Sequence, residues 1–131
     1  MKGSMNATNA TKVYCFGNPD RIDDRVALEI ADELRIDGIE FVKCTSPDPL
    51  LLNHHEELTI IDAVKGLKKI QVIRDIDRLN DTKTLTMHDF DLGTILKLLK
   101  ETGQLKNVKI IGIPCNMNKE EVKKKIIGFL V

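Results

Sequence analysis

The sequence predicts one α/β domain, a three-layer α-β-α arrangement. A mostly parallel, twisted five-stranded sheet carries one antiparallel edge strand and helices on both faces. Three observations carry that reading. Apolar strand-like runs alternate with stretches whose apolar residues recur at helical spacing. The first run, Val13 to Phe16, is apolar on both faces, as a central parallel strand is. The length, 131 residues, suits one domain with a single sizeable core.

Residues 1–12 lack periodicity, and Gly3-Ser4-Met5 reads as an expression tag with Met5 a candidate native start. They are expected to be a disordered tail, and the domain is placed at 13–131. The first strand, Val13–Phe16, stops at a tight turn, Gly17-Asn18, and a polar loop with Pro19 and Asp20 follows. From Asp24 a helical stripe runs through Val26, Ala27, Ile30, Ala31 and Leu34. Asp23 fits its N-cap, and acids in a first turn complement the helix dipole. Gly38 breaks the chain before a second strand, Ile39–Cys44. Thr45–Pro49 is a loop, Leu50-Leu51-Leu52 begins a short helix, and Asn53–Glu57 is polar.

Leu58–Val64 is the third strand, with Asp62 near its C-terminal end, and Lys65-Gly66 is a turn. Lys69–Arg74 is a fourth, more amphipathic strand, and the short turn predicts that it lies antiparallel to the third. The polar connection Asp75–Asp89 is long enough to return to the rim where strands one and three finish. His88 closes it, just before a helix striped by Leu92, Ile95, Leu96 and Leu99 and ended by Gly103 at C′. Val108–Ile113 is the fifth strand. Asn118 caps a last helix striped by Val122, Ile126 and Phe129, with Lys119 to Lys125 as its solvated face.

Lys plus Arg number 20 and Asp plus Glu number 20, a net charge of zero. Such a chain has no electrostatic reason to seek nucleic acid or an anionic membrane. No apolar run approaches the ~20 residues of a membrane span. The N-terminus lacks the basic-then-apolar pattern of a secretory signal. The expected location is the cytoplasm. Cys15, Cys44 and Cys115 form no C-x-x-C pair and read as small buried hydrophobes.

A strand, Gly17 and a helix invite a phosphate site, but a dinucleotide fingerprint needs several glycines and Gly17 stands alone. Asp20, Asp23 and Asp24 at the helix entrance would repel phosphate, and no Walker A pattern is present. A metal site fits better. With the sheet as drawn, Asp24, Asp62 and His88 meet at its C-terminal edge. Two carboxylates and an imidazole suit a borderline divalent ion such as nickel or zinc. Structural roles stay open for each: Asp23 or Asp24 as N-cap, Asp62 bonding a turn, His88 capping or packing. His54 and His55 read as surface residues at the end of the sheet away from Asp62.

These motifs resemble the hydrogenase maturation endopeptidases. The resemblance lies in Gly17-Asn18, the Asp23-Asp24 pair five residues on, Ile-Ile-Asp62-Ala-Val, and His88 before a Leu-rich helix. It continues through Lys-Glu-Thr-Gly103 and Val-Lys-Ile-Ile-Gly112-Ile-Pro114, and so runs with gaps from about Val13 to the C-terminus. Compact archaeal-type members with a Cys-x-x-Pro-acid loop are most similar, matching Cys44 to Asp48. Two departures stand out. The family's first motif continues with Gly or another small residue where this chain has Arg25-Val26-Ala27. The family's Asp-Gly-Gly-Thr-like loop after the second strand is Lys43–Asp48 here.

The resemblance implies a doubly wound α/β fold. It implies an endopeptidase that removes the C-terminal extension of a nickel-loaded [NiFe] hydrogenase large-subunit precursor. The substrate supplies the nickel, and Asp24, Asp62 and His88 contact it, docking only a loaded precursor; zinc or cadmium can stand in for nickel. Water is then activated either by the ion as Lewis acid or by an Asp as general base. The alternative is a catalytically inactive relative, a metal-dependent binding or chaperone module for a hydrogenase-like subunit. The expected oligomeric state is a monomer.

Overall fold

Runs such as Leu58-Thr59-Ile60-Ile61 and Ile110-Ile111 are β-branched and apolar on both sides, the composition of strands covered on two faces. The computed structural model describes residues 11–76 and 92–130, the side chain of Asp23 excepted. Its elements are β1 (Thr11–Phe16), a 3-10 turn (Ile22–Asp24), α1 (Val26–Glu33), β2 (Ile39–Cys44) and α2 (Asp48–Leu51). Then come β3 (His55–Val64), β4 (Gln71–Ile73), α3 (Leu92–Glu101), β5 (Leu105–Pro114) and α4 (Lys119–Leu130). The five strands stand in the order β2-β1-β3-β5-β4. All neighbours are parallel except β4, which runs antiparallel to β5 at the edge. This is the predicted three-layer architecture.

Alternation along the strands sends side chains to two cores. Phe16, Leu58, Ile60 and Val64 join Leu50 of α2 and Leu92, Leu96 and Leu99 of α3 on one face. Val13, Cys15 and Ile61 join Ala27 and Ile30 of α1 and Val122 and Ile126 of α4 on the other. Glu33 ties α1 to α4 by accepting hydrogen bonds from Lys119 at 2.8 Å and Lys123 at 3.0 Å. Part of the lysine run is therefore a clamp between helices, while Phe129 is 38% exposed and lies at the margin of the stripe. Asn118 caps α4 as expected, its Oδ1 accepting from the amides of Glu120 (2.9 Å) and Glu121 (3.2 Å). Gly103 follows α3 at φ 83°, the left-handed conformation of a C′ residue. No helix among the described residues is long and apolar enough to cross a membrane.

Three expectations need correction. The fourth strand runs antiparallel to the third as expected but is not its neighbour: β5, parallel to β3 and antiparallel to β4, lies between them. β5 matches β3 along its length, from His55 opposite Leu105 to Val64 opposite Pro114, whereas Gln71 and Val72 of β4 are half-buried and suit an edge. Strand boundaries also move outward, β1 starting at Thr11, β3 at His55 and β5 at Leu105. His55 is consequently buried, not a surface residue. Its ring meets Tyr14 edge-on at 5.7 Å between centroids, and its Nε2 lies 3.0 Å from the Leu50 carbonyl oxygen. His54 stays exposed, 2.7 Å from Glu56.

Candidate functional site

The chain leaves β1 through a turn bound to itself by its backbone. The Gly17 amide donates to the Cys44 carbonyl at 3.2 Å, extending the β1–β2 ladder by one bond. The Asn18 amide donates to the Asp24 carbonyl at 2.9 Å. Arg21 N–H returns to the Asn18 carbonyl and Asp24 N–H to the Arg21 carbonyl, both at 3.1 Å. Asn18 Oδ1 accepts from the Asp20 amide at 2.9 Å, a side-chain-closed turn. Gly17 is required here by proximity. A Cβ on it would fall against the Asp24 carbonyl oxygen, with Leu28 Cγ 3.2 Å away on another side. The turn thus holds Asp24 at the tip of β1, where it is 6% exposed.

The 3-10 turn displaces the expected cap. The residue at the N-cap of α1 is Arg25, at φ −118° and ψ 4°, and it makes no side-chain cap hydrogen bond. Asp23 lies two residues before that cap, in the middle of the 3-10 turn that contains both acids.

Asp62 is fully buried. It stands opposite Phe16 on β1 and Gly112 on β5, in the centre of the sheet. By alternation it shares the face of Ile60 and Val64, beneath the layer of α2 and α3. Gly112, its partner on β5, is closely packed: a Cβ there would meet Leu67 Cδ1 at 2.9 Å and Val64 Cγ2 at 3.3 Å. A lone glycine inside an apolar strand is the available sequence signal for such a close approach.

The two acids share a rim. Phe16, level with Asp62, is the last residue of β1, and Asp24 is bonded to Asn18 two residues further on. Adjacent strands lie ~4.8 Å apart. Chain connections also diverge here, since β1 leads to α1 on one face and β2 to α2 on the other. The C-terminal ends of β1 and β3 therefore flank a topological switch point, the usual crevice of an open α/β sheet. His88, the third expected contact, lies outside the described residues. Among the described residues no group of three His, Cys, Asp or Glu side chains is arranged to hold a metal. Carboxylates and an imidazole together form a donor set that suits a borderline divalent ion.

Cys15 and Cys44 are buried thiols. Burial, followed by the nearby Cys44 and Asp62, pushes Cys15 up to about 12, and burial pushes Cys44 up to about 11. Both remain protonated near neutrality, and a thiol is a poor nucleophile or ligand in that form. His54 and His55 line an open groove of about 610 Å³ with Tyr14, Asn53 and Glu57. His55 begins β3 and Asp62 nears its end, so this groove opens at the opposite end of the sheet.

No protein-family model and no curated protein matches this chain. Solved structures match it in fold. The hydrogenase maturating endopeptidase HybD from E. coli superposes with a TM-score of 0.62 at 16% identity, over 92% of this chain and 91% of that one. The [NiFe] hydrogenase maturation protease HybD from Thermococcus kodakarensis gives 0.64 at 21% identity, over 92% and 98%. An uncharacterized protein from Wolinella succinogenes gives 0.55 at 16% identity, over 92% and 94%. The chain has the α/β fold of these maturation proteases along nearly its whole length.

Proposed function

We propose that this chain is a hydrogenase maturation endopeptidase. It removes the C-terminal extension from an [NiFe] hydrogenase large-subunit precursor that already carries nickel, acting as a cytoplasmic monomer. The observation that carries this reading is the pair of buried carboxylates at one rim, Asp24 on the first turn and Asp62 on β3. The likeness of the fold to two maturation proteases supports it.

In this reading Asp24, Asp62 and His88 contact the nickel of the substrate. They bind a loaded precursor and leave an empty one. Burial of the two acids favours that selectivity, because buried carboxylates gain strongly from a cation that water would otherwise screen. Hydrolysis needs a water poised at the scissile carbonyl, activated by a carboxylate as general base or by the substrate's own ion as Lewis acid. The rigid turn at Gly17-Asn18 keeps Asp24 in place for either role.

Incubation with nickel-loaded and nickel-free precursor, read by mass spectrometry, tests the reading. Shortening of the loaded form alone is expected. Asp24→Ala, Asp62→Ala and His88→Ala each abolish shortening while circular dichroism shows an intact fold. If all three variants stayed active, the site would be elsewhere. Binding of every loaded precursor with cleavage of none would favour the inactive binding module, a reading motivated by Arg25 beside Asp24.

A further inference from the structure

Arg25 has no structural reason to be where it is. It occupies the N-cap of α1 without capping it, a position that Ser, Thr, Asp and Asn fill best and that Asn118 fills on α4. A cation there also opposes the helix dipole. Among the described residues, its ion pair is with Glu29 one turn along, Nε to Oε2 at 3.8 Å, with side chains 42% and 40% exposed. That distance is too long for a hydrogen bond, and a pair so exposed is weak. The guanidinium is therefore held only by a weak pair, on a side chain 42% exposed, in the residue immediately after the buried Asp24. On the other side of Asp24, Ile22 of the same 3-10 turn is 81% exposed.

An acidic rim repels a substrate segment that carries carboxylates. A planar, permanently charged fork beside it reverses that preference and binds a carboxylate in two-pronged fashion. We propose that Arg25 is a specificity-determining residue, pairing with an Asp or Glu side chain of the peptide segment next to the scissile bond. Glu29 occupies the guanidinium in the free protein and yields it to the substrate. This inference rests on the endopeptidase reading for its substrate, but its test needs no cleavage.

Fluorescently labelled peptides spanning the precursor's cleavage junction, with Glu or Gln at one position near the scissile bond, serve as probes. Anisotropy titrations with the full chain should show the Glu peptide binding about tenfold tighter at its best position, a preference that shrinks as salt is raised. Arg25→Met should reduce the preference to within about twofold, and Arg25→Lys should keep only part of it. Glu29→Gln should increase it, because the internal competitor is gone. Equal Glu preference in wild type and Arg25→Met, or no preference in wild type at any position, overturns the assignment. The two readings fail separately. Glu-selective binding with no processing of any precursor sinks the endopeptidase reading alone; processing with no Glu preference sinks the Arg25 assignment alone.

Discussion

Gly17→Ala is the sharpest perturbation of the candidate site, because it adds one methyl group against a backbone atom. The new Cβ would lie closer than 3.0 Å to the Asp24 carbonyl oxygen, with Leu28 Cγ at 3.2 Å and Cδ1 at 3.4 Å. Leu28 is buried and cannot swing aside. The 3-10 turn must therefore move. Overpacking of this kind costs ~1–3 kcal/mol. Weakening the 2.9 Å bond from the Asn18 amide to Asp24 adds ~1 kcal/mol. The variant should be less stable by roughly 2–4 kcal/mol, a fall in melting temperature on the order of 10 °C. Urea unfolding at matched m-value measures this directly. A second readout separates geometry from stability. At a temperature where the variant is folded, a displacement of about 1 Å at Asp24 should slow precursor processing on the order of 100-fold. A variant within about 0.5 kcal/mol of wild type would show that the turn is not close-packed on Gly17 and would refute the reasoning.

Three further outcomes follow from the structure. Asn118→Ala, which removes a cap serving two backbone amides, should cost ~1 kcal/mol in urea unfolding, with the α1–α4 contact otherwise kept. Hydrogen bonds from Lys119 and then Lys123 hold Glu33 below its ordinary value of 4.5, so its contribution is present above that pH and is lost as pH falls through the lowered native value. The difference in melting temperature between wild type and Glu33→Gln should therefore shrink as the pH is taken down through and below that ordinary value. A thiol reagent at pH 8 should modify the partly exposed Cys115 first, leaving Cys15 and Cys44 untouched until denaturant is added.

Much of this was readable from the sequence where chemistry and period coincide. Asp62 interrupts an otherwise apolar strand, so its burial follows from the pattern of Leu58 to Val64. Asn118 and Gly103 mark helix ends by residue type alone. The partner of β4 was not readable, because hydrophobic pattern specifies which face is buried and not which strand stands alongside. The residues that β3 and β5 gain are His55-Glu56-Glu57, Leu105-Lys106-Asn107 and Pro114, and the exposed Glu56, Glu57, Lys106 and Asn107 among them mask the pairing by their polarity. His55 sits in that polar run, and its burial depends on Tyr14, distant in sequence. Asp23 resembled a cap because consecutive acids precede the stripe; the 3-10 turn that moves the cap to Arg25 has no such signature. His88 lies outside the described residues, so its share of the site rests on the resemblance.

The position of β5 also constrains the order in which the sheet is assembled. β4 precedes β5 in the chain yet, among the described residues, pairs with no other strand, joining it through Gln71 to Ile73. Until β5 arrives, those residues have no ladder to join. The β3–β5 ladder, between two ten-residue strands, offers far more pairing than the three residues of β4, so β4 is expected to join after it as a short outer rung. Elements added last open most readily. Amide protons of Gln71–Ile73 should exchange with solvent well before those of Ile60 or Ile110 in the centre of the sheet. The rim bearing Asp62 can then persist while the far edge of the sheet opens and closes.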